Sequence, residues 1–255
     1  MRKIVKYVVI DILRNRIMIA YAILLILLSL SLFALEDNTA KAMLDLLNIV
    51  LIIVPLVSLL FSVIYIYNSA EFLELLVSQP LKRGMIWLSL FLGLALSLCL
   101  TFLLGVGLPV LFFDFSATAA MLVLTGLFLT VIFIAIAMLA AVKVRDKAKG
   151  IGIAVLLWIY FTVLFDGMVL FFLFQFADYP VEKPMVAISM LNPVDIGRVM
   201  ILLRMDESAL MGYTGAIFRN FFGTGTGVVI SFLVLLLWVL IPAMLSVRKF
   251  KNKDL

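Results

Sequence analysis

The sequence predicts an all-α, polytopic membrane protein of six transmembrane helices, and three observations carry that expectation. First, six apolar runs fill the chain: Ile17–Leu35, Leu46–Tyr67, Ile86–Phe113, Ala119–Val142, Ile151–Phe176 and Thr226–Val247, none shorter than 19 residues. A helix needs ~20 apolar residues to cross a ~30 Å hydrocarbon core. Second, only Asp166 is charged within any run, whereas a helix facing water would carry a polar stripe. Third, Lys and Arg gather in alternate loops.

The elements follow in order. In residues 1–16, Ile4, Val5, Val8, Val9 and Ile12 recur at helical spacing, with Lys3, Lys6, Asp11 and Arg14 mainly on the other side. That is an amphipathic helix lying flat in the interface, its basic residues near anionic headgroups. It serves as a topology anchor or as an element that a cytoplasmic partner pushes. The apolar run behind it is too long for a signal peptide, and no small-x-small site precedes Glu36, so an uncleaved first span is expected. Pro55 frees a carbonyl within the second run and predicts a kink. The third run, at 28 residues, would reach ~42 Å as a helix. It should tilt or break, most naturally around Gly105, Gly107 and Pro109. There is no convincing internal repeat.

With the N-terminus in the cytoplasm, 15 of the 20 Lys and Arg fall inside and five outside, and most of those five lie in the long fifth loop. The positive-inside rule then gives six spans with both termini cytoplasmic. Composition excludes much else. At 255 residues, 66% hydrophobic, with mean hydropathy +1.28, the chain is a single domain with no room for a soluble enzyme. The longest stretch between runs, 177–225, is too short for most independent domains. No histidine is present, which removes imidazole metal sites and Ser-His triads. The lone Cys99 allows no intrachain disulfide. The net charge of +5 flanks the spans, so it reads as membrane orientation and not as a nucleic-acid surface.

Two connecting segments carry the functional expectation. The loop 68–85 reads NSAEFLELLVSQPLKRGM. Asn68 and Glu71 have capping-box spacing, Phe72, Leu75 and Leu76 share one face, and Pro80 ends the helix before Lys82 and Arg83. Such a helix lies on membrane lipid or enters a groove on a partner. In the outer segment 177–225, Asn192 and Pro193 mark a helix start. Asp195 and Arg198 stand at i, i+3 and can pair on one face. Asp206 could cap a second helix through Ala209–Phe218, and Gly223, Gly225 and Gly227 loosen the entry to the last span. Met185, Met190, Met200, Met205 and Met211 stack no pair on one helix face, so they read as packing or partner contacts, with no metal ligand assigned. Asp166 is an intramembrane candidate for function. Lacking a Lys or Arg inside the spans, it is expected to be protonated or exposed to water. Its structural alternative is bundle packing.

The ELLVSQPLKR run after the second of six spans resembles the coupling-helix region of type-2 ABC permeases, and the resemblance extends over the whole chain. The stretches NPVDIGRV and SALMGYTGAIF are similar to the outer segment of the Nos permeases. Glu71-Phe72 stand where many type-2 permeases have Gly-Thr. The resemblance implies a homodimer in the bacterial inner membrane, driven by a separate cytoplasmic ATPase that carries the ATP. This chain would bind no cofactor and catalyse no reaction. It lacks a G-x-x-x-x-G-K-[ST] loop, since GTGTG at Gly223–Gly227 has no lysine. It further implies that Glu71, Phe72, Glu74, Leu75, Gln79, Pro80, Lys82 and Arg83 engage the ATPase. Asn192, Pro193, Asp195 and Arg198 would meet a periplasmic β-helical protein, the assembly supporting copper-centre formation in nitrous-oxide reductase. The alternatives are a generic type-2 exporter of a lipid, glycan or drug, and a secondary transporter or membrane scaffold with no ATPase.

Overall fold

The computed structural model describes residues 1–36, 38–176, 182–204 and 225–252. Among them the chain is helical apart from short connections and contains no strand. Six helices are long and apolar enough to cross a membrane: Arg16–Leu35, Thr39–Asn68, Arg83–Phe113, Ala117–Lys143, Lys147–Phe172 and Gly227–Lys251. This is a multi-pass membrane protein with spans one to six in that order. Alternation puts residues 1–16, the loop 68–85 and the end of span six at one end of the bundle, the basic end. The segment 182–204 lies at the opposite end.

Several helices outrun their apolar runs because polar residues cap them. Asn15, Asn38, Ser116 and Asp146 each accept a backbone N–H at 2.7–3.1 Å, satisfying donors that a helix N-terminus leaves unpaired. Span two accordingly begins at Thr39 and takes in Lys41 and Asp45, which the sequence reading leaves in a loop.

Span four is the centre of the bundle and packs against spans two, three and six. Gly126 in its middle leaves the space that the Phe102 ring occupies. Spans one, five and six turn most of their surface outward. Span three does not break where the sequence places its weak point. It makes one π turn, Leu103–Gly107, and continues to Phe113. Pro109 has no N–H to offer the Gly105 carbonyl, and the buried Ser29 hydroxyl of span one donates to that oxygen at 2.9 Å. A side chain on Gly105 would collide with Leu25, so the missing Cβ is what lets span one approach. Span two runs as one helix through Pro55, and the Ile52 carbonyl in the preceding turn accepts from Trp158 Nε1 at 3.1 Å.

The N-terminal helix Arg2–Leu13 packs part of its apolar face on protein. Val8 and Ile12 are fully buried, and Val8 sits directly over Gly93 of span three. At the opposite end, helices Glu182–Ser189 and Pro193–Arg204 precede span six. The Asp206 cap and the helix expected at Ala209–Phe218 lie outside the described residues, as do Met205, Met211 and Gly223.

Candidate functional site

At the basic end, span two ends at Asn68 and a separate helix, Ala70–Val77, follows. The expected capping box does not form. Asn68 belongs to span two, where its side chain accepts from Lys147 Nζ at 2.7 Å, and Ser69 stands at the N-cap without a side-chain bond. The backbone explains why. Ser69 N–H donates to Tyr65 O and Leu73 N–H donates to Ser69 O, both at 2.9 Å, so helical bonding passes almost unbroken through the bend and leaves few donors to cap.

Leu73 and Leu76 turn inward and are buried, while Leu75 is 66% exposed. The stripe of Phe72, Leu75 and Leu76 is therefore divided. Phe72 stacks on Tyr7 of the N-terminal helix with ring centroids 5.0 Å apart. Asp11 of that helix accepts from the Tyr65 hydroxyl at 2.9 Å. The short helix is thus tied to both span two and the N-terminal helix. Its outer face offers Glu71, Glu74 and Leu75, with Gln79, Pro80 and Lys82 exposed beyond it and Arg83 half-buried. Beneath it lies a cleft of about 320 Å³, lined by Tyr67, Leu73, Glu74, Trp87, Arg145 and Phe250 among others.

At the opposite end, helix Pro193–Arg204 enters the bundle. Val194, Ile196, Val199, Met200 and Ile201 are all buried, and the helix packs on spans two, four and six. Gly197 makes that seat possible, because a Cβ there would lie 2.7 Å from Thr125 Cγ2. Asn192 begins the helix as the sequence expects, its Oδ1 accepting from Val194 N–H at 3.0 Å. Its Nδ2 also donates to Phe161 O at 2.8 Å. Phe161 lies in the second π turn, Tyr160–Leu164 of span five, so one amide both caps the helix and fastens it to an irregular turn. Trp238 of span six donates to Met190 O at 3.2 Å from the other side.

Arg198 does not pair with Asp195. It reaches span five, where its Nη1 donates to Asp166 Oδ2 at 2.5 Å, both side chains about 30% exposed. The expectation that Asp166 lacks a basic partner is corrected, because a helix outside the six spans brings the arginine to it. Asp195 itself is buried, and its Oδ2 has no hydrogen-bond partner among the described residues. Burial holds its carboxyl above the ordinary carboxylate range. Ser189 and Arg198 pull it back down, and the Asp166 charge adds to the rise. The Ser189 hydroxyl is near enough to favour the carboxylate yet lies outside hydrogen-bond geometry.

Asn192, Pro193 and Asp195 are thus covered by the chain's own spans, and Arg198 is half-buried. Sequence reasoning missed the Phe161 carbonyl, Ser189 and Thr125 as members of this cluster. The only available signal was the polarity of Ser189 and Thr125 in apolar surroundings. Neither the family models nor the curated proteins compared with this chain match it.

Proposed function

We propose that this chain is the membrane subunit of an ATP-driven transporter, a type-2 ABC permease that works as a homodimer with a cytoplasmic ATPase. One observation carries the reading: the helix Ala70–Val77 is anchored on its inner face by Leu73 and Leu76 and offers Glu71, Glu74 and Leu75 outward. A helix held rigidly on one side and free on the other can pass a push from a partner to the spans it joins. The stacked Tyr7 would carry the same push to the N-terminal helix. Within that class, the NPVDIGRV and SALMGYTGAIF stretches support a NosY-like permease serving copper-centre assembly in nitrous-oxide reductase, together with a periplasmic β-helical protein. Since Asn192 and Asp195 are buried, such a partner would be met by other parts of the segment, with Arg198 contributing only its exposed fraction.

The test is capture of the ATPase. Phe72 supports the fold through Tyr7, so Leu75→Asp is the cleaner variant. It should insert and elute as wild type yet lose ATPase co-purification. Unchanged capture would refute the coupling assignment. A second reading, a secondary transporter with no ATPase, draws on the Asp166–Arg198 pair near Asp195, whose Oδ2 has no hydrogen-bond partner among the described residues, since intramembrane carboxylates such as Asp166 commonly form proton relays. That reading gains if no ATPase accompanies the wild-type protein and Asp195→Asn abolishes pH-driven uptake in vesicles.

A further inference from the structure

At the basic end, spans three and six touch through Trp87, Ser246 and Phe250, and beside that contact they line a groove of about 670 Å³. Its deep part is apolar: Leu88 and Phe91 come from span three, Leu240 and Met244 from span six. Its mouth is basic, formed by Lys82, Arg248 and Lys251. Among the described residues no acid lines it, and none of these three cations has an ion-pair partner. Gly84 holds the mouth together, since a Cβ there would lie 2.5 Å from Lys251 Cε. The Lys251 stem therefore lies flat across the start of span three, with its ammonium beside the opening.

The dimensions fit one leaflet. Leu240 lies eleven residues before Lys251, which is about 16 Å along a helix. Half of a ~30 Å hydrocarbon core is about 15 Å. Cations thus stand at headgroup depth, and the apolar lining runs as far as an acyl chain reaches. Orientation accounts for basic residues at this end; what it does not require is that three of them, none ion-paired among the described residues, converge on one apolar furrow.

We propose that this groove is a binding site for an anionic phospholipid of the leaflet at the basic end. The headgroup phosphate is held by Lys82, Arg248 and Lys251, and an acyl chain lies along Leu88, Phe91, Leu240 and Met244. The lipid bridges span three, which follows the helix Ala70–Val77, to span six, so its occupancy stiffens the contact between the two. The proposal does not depend on which partner drives the protein.

The test uses the full-length protein purified in mild detergent and titrated with phosphatidylglycerol or phosphatidylcholine of matched chains, with adducts read by native mass spectrometry. Wild type should retain phosphatidylglycerol over phosphatidylcholine. The triple variant Lys82→Gln, Arg248→Gln, Lys251→Gln should lose that preference, with roughly fivefold weaker binding for each charge removed, equivalent to ~1 kcal/mol. Ala243→Phe, which fills the groove and keeps the charges, should weaken phosphatidylglycerol binding as well. Arg14→Gln with Arg16→Gln removes two cations outside the groove and should leave binding unchanged. Equal retention of the two lipids by wild type overturns the proposal, as does undiminished phosphatidylglycerol binding in the triple variant. Equal loss in the Arg14, Arg16 control also overturns it, because bulk charge would then be responsible. To test for a second copy as occupant, Leu240→Cys in a Cys99→Ala background should form no disulfide-linked dimer, and efficient crosslinking would reassign the groove. Any variant whose gel-filtration profile departs from wild type is replaced by Lys251→Gln alone, for which a roughly fivefold loss is expected and an unchanged affinity overturns the site.

Discussion

The helices Ala70–Val77 and Pro193–Arg204 join spans at opposite ends of the bundle and have the same share of charged residues, two of eight and three of twelve. Their fates differ. The first keeps both of its acids exposed, while the second buries most of its length. Local polarity does not explain the difference, but partner supply does. The buried helix has Asp166 for its arginine, the Phe161 carbonyl for its capping amide, and a glycine where span four presses in. No basic side chain is seen paired with Glu71 or Glu74 among the described residues, and a charge buried without a partner is expensive. Those two acids therefore stay at the surface. A segment between spans enters a bundle when the spans can complete most of its polar groups, the Asp195 Oδ2 being left over among the described residues.

The strongest way to break this comparison is to remove a partner from the buried helix. Arg198→Glu would set three acids together and should destabilise the protein by roughly 2–4 kcal/mol in detergent unfolding. That is the cost of breaking a buried pair, reduced because both side chains remain partly exposed. The exchange Asp166→Arg with Arg198→Asp should recover part of the loss. If Arg198→Glu unfolds like wild type, the pair is not what seats the helix.

Next in size is the amide. Asn192→Ala removes a cap and orphans the Phe161 carbonyl, with an expected loss of roughly 2–3 kcal/mol. Asn192→Asp keeps the acceptor for Val194 N–H but not the donor, so it should cost less than the alanine. Equal losses would show that the cap contributes nothing and that the bond to the Phe161 carbonyl accounts for the whole effect. Ser29→Ala, which orphans only the Gly105 carbonyl, should fall near 1–2 kcal/mol by the same argument.

A smaller effect concerns pH. Burial raises the Asp195 carboxyl above its ordinary 3.8, so the folded state binds a proton that the unfolded state has released. Stability linked to this group is then complete below about pH 3.8 and is lost as pH rises through the higher folded value. Asp195→Asn should remove that slope from unfolding curves recorded across the acid range. A wild-type curve that gains stability over the same interval, relative to Asp195→Asn, would contradict the assignment.

The smallest expected effect on stability lies at the exposed helix. Glu74→Gln and Leu75→Ser should each change unfolding by no more than about 0.5 kcal/mol, as surface substitutions usually do. The anchoring side can be checked separately. Cysteines replacing Tyr7 and Phe72 in a Cys99→Ala background should crosslink readily. Gly93→Leu, which pushes Val8 off span three, should abolish that crosslink and leave the bundle folded. A crosslink that survives would mean the N-terminal helix does not rest on Gly93.

The six spans, the short helix after span two and the helix start at Asn192 were all legible in the residues. Each rests on local chemistry: apolar length against bilayer thickness, the turn ended near Pro80, and an amide ahead of a proline. Span boundaries were less legible, because caps such as Asp146 and Asn38 lie among charges that hydropathy discounts. The failed capping box at Asn68 has a similar origin. The spacing was right, but span two kept bonding through the residue that was to start the next helix.

The sequence by itself determined that this chain crosses a membrane six times, since no other solvent accepts so many apolar side chains in uninterrupted helices. Tertiary structure alone decided which connecting segment is exposed and which is buried. It also chose Asp166 over Asp195 as the partner of Arg198 and converted an expected break in span three into a π turn capped by Ser29. The physical reason is the same in each case. The partner of a buried polar group comes from a distant part of the chain, 76 residues away for Ser29 and Gly105 and 32 for Arg198 and Asp166, and spacing along the sequence carries no record of which helices become neighbours.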